Sequence, residues 1–307
     1  MYVTLAGGVG AARFLAGLTA VVPPEQVVAI VNTGDDLTLY GLAISPDIDT
    51  VLYTLSGRVD PERGWGIAGD TTIVLDALAA LGEQTTFRLG DRDLATHLFR
   101  TSLLHAGKTL TEVTALLAER LGVRARILPM ADEPVRTIVQ TPAGELAFQE
   151  YFVTRGQQDD VLGLRYAGAE TARPTPAVRE AIASAHALII APSNPFVSIG
   201  TILAVPGMRE AIAASPATKV AISPIVGGRA LKGPADKMLV TLGHEPSALG
   251  VARLYRDLVD LFVLDTLDAS LAPAVEALGL RVLVTNTIMR GPQERAQLAR
   301  AVLGALR

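Results

Sequence analysis

The chain has 307 residues, half of them apolar, and its net charge of −4 and pI near 5.6 argue against the clustered basic surface of a nucleic-acid-binding protein. It contains no cysteine, which excludes disulfides, thiolate metal sites and cysteine nucleophiles and fits a reducing cytosol. The apolar runs are far shorter than the roughly 20 residues of a membrane helix, and the start of the chain lacks a signal-peptide pattern. We expect a cytoplasmic globular protein that acts on small molecules, without nucleic-acid or membrane partners.

Short β-branched runs alternate with amphipathic stretches of helical length, a pattern typical of a parallel sheet buried on both faces. We therefore predict an α/β fold, a Rossmann-like parallel sheet flanked by helices. The predicted strands cover residues 2–5, 27–31, 187–190, 219–222, 261–264 and 281–284. The predicted helices cover residues 11–21, 71–81, 177–185, 208–214, 247–260, 272–278 and 292–306.

One segment departs from this alternation. Two consecutive helices are predicted between residues 91 and 122, and antiparallel strands follow over 126–129, 135–141 and 145–153, with a hairpin turn at 142–144. We predict that residues 91–159 form an inserted helical and β-hairpin lobe. Residues 1–90 and 160–307 would form the nucleotide-binding core, with a hinge at 155–160.

The first predicted strand leads into a glycine-rich segment, GGVGAAR at residues 7–13. A glycine loop between a strand and a helix presents backbone N–H groups and the positive end of the helix dipole to a phosphate group, although a plain structural turn has the same composition. The segment lacks the Lys-Ser/Thr ending of a P-loop, and Arg13 stands at the third glycine position of the dinucleotide fingerprint. A dehydrogenase that uses NAD is therefore disfavoured.

Two aspartate-rich segments follow, NTGDD at residues 32–36 and SPDIDT at residues 45–50. Mg²⁺ prefers oxygen ligands with few protein carboxylates, so two of the four aspartates would suffice. We expect an extended segment that places the carboxylates of Asp47 and Asp49 on the same side. The alternatives are a helix cap at Asp49 and a solvated turn at Asp35 and Asp36.

Three later loops add candidate binding groups. Trp65, the only tryptophan, lies between glycines in a predicted loop, and Arg88 and Arg92 precede a predicted helix. The arginines could bind an anionic or planar ligand or pair with neighbouring aspartates. Ser193 and Asn194 follow the strand at 187–190, so they should face the same crevice as the glycine loop.

In this order, these segments resemble the 2-phospho-L-lactate transferase (CofD-like) family of coenzyme F420 biosynthesis. The resemblance is carried by residues 7–13, 32–36, 45–50, 64–71, 89–97, 148–153, 191–200 and 223–228. It implies an enzyme that moves a 2-phospholactyl or phosphoenolpyruvyl-type group from a guanosine diphosphate-linked donor to the ribityl hydroxyl of the deazaflavin Fo. It also implies release of GMP, assistance by Mg²⁺ and a homodimer.

The resemblance implies roles for individual residues. Asp49 would be catalytic and would bind the deazaflavin together with Arg88, and we add Trp65 and Arg92 to this group. Asp35 and Asp47 would bind the metal, with Asp36 as a less certain neighbour. The nucleotide would lie on the remaining candidates, which are Gly7, Gly8, Gly10, Asn32, Ser193 and Asn194.

The alternative function is a non-catalytic regulator of the same fold family that binds nucleotide sugars. Such regulators share the glycine loop and the Asp-Asp turn, whereas residues 45–50, 64–71 and 89–93 match the transferases. The sequence leaves the donor acid open among phospholactate, phosphoenolpyruvate and phosphoglycerate, because these acids differ by small groups.

Overall fold

The computed structural model describes residues 1–306, and a seven-stranded sheet lies at its centre. The strands in chain order are β1 Tyr2–Ala6, β2 Val27–Val31, β3 Leu37–Leu39, β4 Leu42–Ile44, β5 Arg126–Pro129, β6 Arg136–Thr141, β7 Gly144–Ala147, β8 Gly163–Ala167, β9 Ala187–Ile190, β10 Thr218–Ile222, β11 Ile225–Val226, β12 Arg229–Ala230, β13 Leu261–Asp265 and β14 Arg281–Thr285. The order in the central sheet is β14-β13-β10-β9-β1-β2-β5, and every pair is parallel. The predicted α/β class is confirmed.

Helices cover both faces of the sheet. In chain order they are α1 Gly8–Thr19, α2 Pro46–Leu55, α3 Ile73–Ala80, α4 Asp91–His105, α5 Leu110–Leu121, α6 Pro176–Ala183, α7 Ile199–Ala204, α8 Met208–Ala214, α9 Ala235–Thr241, α10 Ala248–Tyr255, α11 Ala272–Glu276 and α12 Pro292–Gly304. One apolar core holds side chains of α1, α2, α5 and α12, and the other holds side chains of α6 to α11. In the described part of the chain, no helix is both long and apolar enough to cross a membrane.

The strand order reverses next to β1, and this sets the position of the site. From β1 the chain moves outward to β2 and β5 on one side, while β9 and the later strands lie on the other side. In an open parallel sheet, ligands bind at such a switch point, beyond the carboxyl ends of the strands. The glycine loop after β1 and the loop after β9 meet at this point.

Three small antiparallel sheets surround the central one. Strand β6 pairs with both β7 and β8, while β3 pairs with β4 and β11 pairs with β12. The predicted hairpin between residues 135–141 and 145–153 is confirmed over Arg136–Thr141 and Gly144–Ala147. Strands β3, β4, β11 and β12 were not predicted, because strands of two or three residues carry little periodicity, and β8 was also missed.

Two predictions within residues 91–159 are wrong. Strand β5 is parallel to β2 in the central sheet rather than antiparallel, because helices α4 and α5 form the crossover that returns the chain to the sheet edge. The strand predicted over 145–153 ends at Ala147, and Glu150–Thr154 forms a π-helix that buries Tyr151 in a cluster with Phe148. The division into a core and a lobe at 91–159 stays a prediction.

The expected extended segment around Asp47 and Asp49 is also wrong. Both residues lie in the first turn of α2, which begins at Pro46. Proline suits the first position of a helix, because its fixed φ is helical and its missing N–H would have no partner there. Residues two apart on a helix point to different sides, so the two carboxylates have different surroundings.

Candidate active site

A cavity of about 600 Å³ opens at the switch point. Its wall combines the glycine loop, the first turn of α2 and the loops after β9, β10 and β14. The predicted site residues that line it are Gly7, Gly8, Gly10, Asp35, Asp47, Asp49, Trp65, Arg88, Ser193 and Asn194. Asn32, Asp36 and Arg92 are not among its lining residues.

The glycine loop and the loop after β9 are locked together. The Ser193 hydroxyl donates to the Gly7 carbonyl at 2.8 Å and accepts from the Gly7 N–H at 3.3 Å. A Cβ at Gly10 would lie 2.3 Å from the Pro192 carbonyl oxygen, so only glycine permits this contact. The two loops therefore form one rigid floor at the N-terminus of α1.

Asn194 and Asn32 hold neighbouring loops rather than facing the cavity freely. The Asn194 side-chain oxygen Oδ1 accepts from the N–H groups of Phe196 and Val197, at 2.9 and 3.3 Å. The Asn32 amide donates to Asp47 Oδ2 at 2.9 Å and to the Val197 carbonyl at 3.3 Å. The buried Asn32 thus orients the Asp47 carboxylate towards the glycine loop.

Asp35 and Asp47 form a buried carboxylate pair at the cavity wall. Each is 7% exposed, and Asp35 Oδ1 finds no hydrogen-bond partner among residues 1–306. Burial, and next the negative charge of Asp47, raises the pKa of Asp35 well above its usual range. Burial also raises the pKa of Asp47 to about 6, against hydrogen bonds from Asn32 and the Gly8 backbone that lower it. In the part of the chain that the structure describes, no cationic side chain lies within ion-pair distance of either carboxylate.

These features fit a divalent cation. Two carboxylates with a free oxygen, next to a helix N-terminus suited to phosphate, match the way Mg²⁺ binds through few protein ligands and substrate phosphates. Asp36 is placed differently, because it accepts a hydrogen bond from the Ser45 hydroxyl at 2.8 Å and is not among the residues that line the cavity. Burial raises the pKa of Asp36 to about 7.

Asp49 has a positive partner. The partner is Arg100, a residue of α4 that is 0% exposed. Its Nη1 donates a hydrogen bond to Asp49 Oδ2 at 3.1 Å, and its Nη2 donates to Asp49 Oδ1. Burial is the largest influence on the pKa of Arg100 and lowers it, but Asp49, Asp36 and Tyr53 together raise it, and the net shift is upward. Arg100 was missed by the sequence reasoning, because an arginine in the middle of a predicted helix usually lies in solvent.

A second cluster of possible metal ligands surrounds this ion pair. One ligand atom each from Asp49, Asp93 and His97 lies within 4.8 Å of the others. Asp93 already accepts a hydrogen bond from the Tyr53 hydroxyl at 2.7 Å. Because Arg100 supplies the positive charge at Asp49, a cation here would be repelled, and Asp35 with Asp47 is the better metal site.

Comparison with known proteins identifies the family. The family described as 2-phospho-L-lactate transferase CofD matches residues 2–278. The chain belongs to the CofD family. The relatives of this CofD member include a phosphoenolpyruvate transferase of Kitasatospora aureofaciens, 46% identical over 98% of this chain and 96% of the relative. They also include a 2-phospho-L-lactate transferase of Methanosarcina acetivorans, 40% identical over 98% of both chains.

A crystal structure of a UPF0052 family member from Bacillus halodurans has the same fold as this CofD chain. It covers 98% of both chains with a TM-score of 0.64 at 17% identity. The fold therefore extends over the whole chain. As a CofD family member with these relatives, the protein is an enzyme, a transferase of coenzyme F420 biosynthesis. The relatives do not support the regulator and dehydrogenase alternatives.

Of the remaining candidate residues of this CofD enzyme, Trp65 and Arg88 line the cavity and Arg92 does not. Trp65 is 41% exposed, and the Arg63 guanidinium carbon lies 5.2 Å from its ring centroid. Arg88 lines the cavity and is exposed, whereas the exposed Arg92 lies outside the lining. The sequence reasoning missed Phe148 and Phe152, whose stacked rings have centroids 5.4 Å apart and line the same cavity.

Proposed function

We propose that the enzyme transfers the phospho-acid group of a guanosine diphosphate-linked donor to the ribityl hydroxyl of Fo and releases GMP. The observation that carries this proposal is the single cavity at the switch point, where the glycine loop, the carboxylate pair and Asp49 face one space. A transfer between two substrates needs positioning and charge neutralisation more than covalent help from the protein. The cavity offers both.

The nucleotide part of the donor belongs on the floor formed by the glycine loop and the loop after β9. There the N-terminus of α1 favours negative charge. Asp35 and Asp47 would hold Mg²⁺, which neutralises charge on the diphosphate oxygens when bound. Asn32 keeps the Asp47 carboxylate aimed at this floor.

The acceptor belongs at the cavity mouth. Trp65, Phe148 and Phe152 offer flat apolar surfaces to a tricyclic ring. Asp49 lines the same cavity as these aromatic side chains and the carboxylate pair, and we place the approach of the ribityl hydroxyl to the donor phosphorus there. The new O–P bond forms to this hydroxyl, the P–O bond to GMP breaks, and the hydroxyl proton passes to solvent.

For Asp49 the geometry favours orienting the hydroxyl over accepting its proton. The Arg100 guanidinium donates to both carboxylate oxygens, which fixes the carboxylate in place and occupies acceptor positions that a transferred proton would need. The test is turnover of Asp49→Asn at saturating Fo. Full turnover with a folded variant would contradict a role of Asp49 in the transfer step.

For the donor acid we propose phosphoenolpyruvate. Four of the curated relatives named phosphoenolpyruvate transferase are 44% to 46% identical, whereas four named 2-phospho-L-lactate transferase are 36% to 40% identical. The experiment is mass spectrometry of products after incubation with Fo, Mg²⁺ and each guanylylated acid in turn. A product from guanylylated phospholactate or phosphoglycerate alone would contradict the phosphoenolpyruvate assignment.

We also propose a cytosolic homodimer. The absence of cysteine suits a reducing compartment. Support for a dimer comes from exposed apolar side chains of α3 and α4, where Ile73 is 70% and Leu98 is 58% exposed, and from Leu81, which is 82% exposed. Light scattering of the purified protein tests this, and a monomer at micromolar concentration would contradict it.

A further inference from the structure

Two positively charged side chains line the cavity on the side of α1 and the loop after β12. Arg13 lies in the second turn of α1, and Lys232 follows β12. Both approach the backbone of Gly64: a Cβ at Gly64 would lie 3.5 Å from Arg13 Nη2 and 3.5 Å from Lys232 Nζ. Because both atoms lie 3.5 Å from the same point, Arg13 Nη2 and Lys232 Nζ are separated by no more than twice 3.5 Å.

Neither side chain has a negative partner. Within residues 1–306, no carboxylate lies within ion-pair distance of Arg13 or Lys232. Lys232 Nζ donates to the carbonyl oxygen of Arg63 at 2.5 Å. Burial, and next the charge of Arg13, lowers the pKa of Lys232, and the same two causes lower the pKa of Arg295. Positive charge is thus concentrated around Arg13.

The cavity is therefore polarised. The carboxylates Asp35 and Asp47 lie beside the N-terminus of α1, whereas Arg13 lies in the second turn of this helix and Lys232 lies in the loop after β12. Two like charges held close together without a counterion cost free energy, and a bound anion removes this cost. A ligand with several negative charges would reach the cations directly and the carboxylates through a metal ion.

We propose that Arg13 and Lys232 form a two-cation site for an oxyanion of the guanylylated donor, which rests on the function proposed above. The oxyanion is either a phosphate oxygen of the diphosphate or the carboxylate of the three-carbon acid. The planar guanidinium matches both groups through paired hydrogen bonds, and the lysine ammonium adds a point charge.

Arg13 is also the residue at which the glycine loop differs from the dinucleotide-binding fingerprint. In the dinucleotide fingerprint, the third glycine allows close packing of the helix on its strand. Here that position is Arg13, half-buried at the cavity wall. The substitution that argues against NAD would thus place a cation where an anionic donor needs one.

The test is calorimetric titration of Arg13→Gln and Lys232→Gln with guanosine, GMP, GDP and a guanylylated acid. Loss of a charge-assisted hydrogen bond should weaken binding about 10-fold to 100-fold, and guanosine, which carries no oxyanion, should bind unchanged. Weaker GDP binding identifies the diphosphate as the oxyanion. Unchanged GDP binding with weaker binding of the guanylylated acid identifies the carboxylate.

Matched controls separate the site from general charge and from folding. Arg179→Gln and Lys108→Gln remove exposed cations outside the cavity lining and should leave every affinity unchanged. Arg13→Lys and Lys232→Arg keep the charge and should retain most of the binding. Without ligand, Arg13→Gln should melt at the same or a higher temperature than the wild type, because a repulsion is removed. If Arg13 merely supported the fold, its replacement by glutamine would lower the melting temperature.

One result would overturn the two-cation site, and a different result would overturn the proposed function. If the wild type binds GDP or the guanylylated acid and both neutral variants bind each ligand within twofold of the wild type, the two-cation site is wrong. If the wild type binds neither GDP nor any guanylylated acid, the proposed function itself is wrong.

Discussion

Two buried carboxylates in the first turn of α2 lie two residues apart and face opposite electrostatic surroundings. Asp49 contacts the guanidinium of the fully buried Arg100, whereas Asp47 contacts an amide and a backbone N–H and lies near another carboxylate. The fold itself neutralises Asp49. It leaves Asp47 and Asp35 without a cation.

The difference shows how one cavity can contain both a permanent and a ligand-dependent ion pair. Burying an unpaired charge costs several kcal/mol, so a buried carboxylate is paired, protonated or bound to a metal. At Asp49 the pairing is built into the chain and fixes the carboxylate for a substrate. At Asp35 and Asp47 the pairing would arrive with the donor, so metal and donor binding should be coupled.

The largest expected effect is on stability, at Arg100. In Arg100→Met, the carboxylate of Asp49 stays buried without a cation, and we expect the free energy of unfolding to fall by about 3 to 5 kcal/mol. Chemical denaturation followed by circular dichroism measures this. The double variant Arg100→Met, Asp49→Leu should recover much of the loss, because no charge remains buried. A loss below about 1 kcal/mol in the single variant would show that Asp49 is compensated elsewhere.

Next in size is the effect of Asp47→Asn on activity. The amide keeps the shape but removes the charge, and we expect kcat to fall about 100-fold, a loss typical of a metal site deprived of a ligand or a ligand-orienting group. The melting temperature without metal should stay the same or rise, since a buried charge is removed. The matched control is Asp36→Asn, outside the cavity lining, which should keep most of its activity. Equal losses in both variants would contradict the assignment of Asp47 rather than Asp36 to the metal.

The contrast between Asp47 and Asp49 could be predicted from the sequence only in part. Alternating apolar and polar stretches predicted the parallel sheet, and strand-end loops predicted which residues meet at its edge. The helical turn at 46–49 was missed, although Pro46 is well suited to start a helix. Arg100 lies 51 residues from Asp49, and only the packing of α4 against β4 brings it there. Long-range partners of this kind leave no local pattern.

A third expected effect is on the pH dependence of stability. The folded chain raises the pKa of Asp36 to about 7 and that of Asp47 to about 6, whereas an unfolded aspartate titrates near 3.9. Between about pH 4 and 7 the folded chain binds more protons, so these two groups make the free energy of unfolding fall as the pH rises. We expect Asp36→Asn to remove the part of this fall that Asp36 contributes, which spans about pH 4 to 7 and ends near its folded pKa of about 7. Melting temperatures of both proteins from pH 4.5 to 8 without divalent cations measure the difference, and parallel curves would contradict the raised pKa of Asp36.

The smallest expected effect is on the KM for Fo, and it should differ between Arg88 and Arg92, which the sequence analysis assigned to the same acceptor site. Arg88 lines the cavity, and Arg92 lies outside its lining while its backbone N–H donates to Asp70 at 2.9 Å. Arg88→Gln should raise the KM for Fo about 10-fold, because one charge-assisted hydrogen bond is lost. Arg92→Gln should leave the KM for Fo within twofold of the wild type. Steady-state kinetics at saturating donor gives both values. Equal increases in the KM for Fo in both variants would mean that the acceptor extends beyond the cavity mouth towards the start of α4. Asp49 and the two exposed arginines would then belong to one longer binding surface.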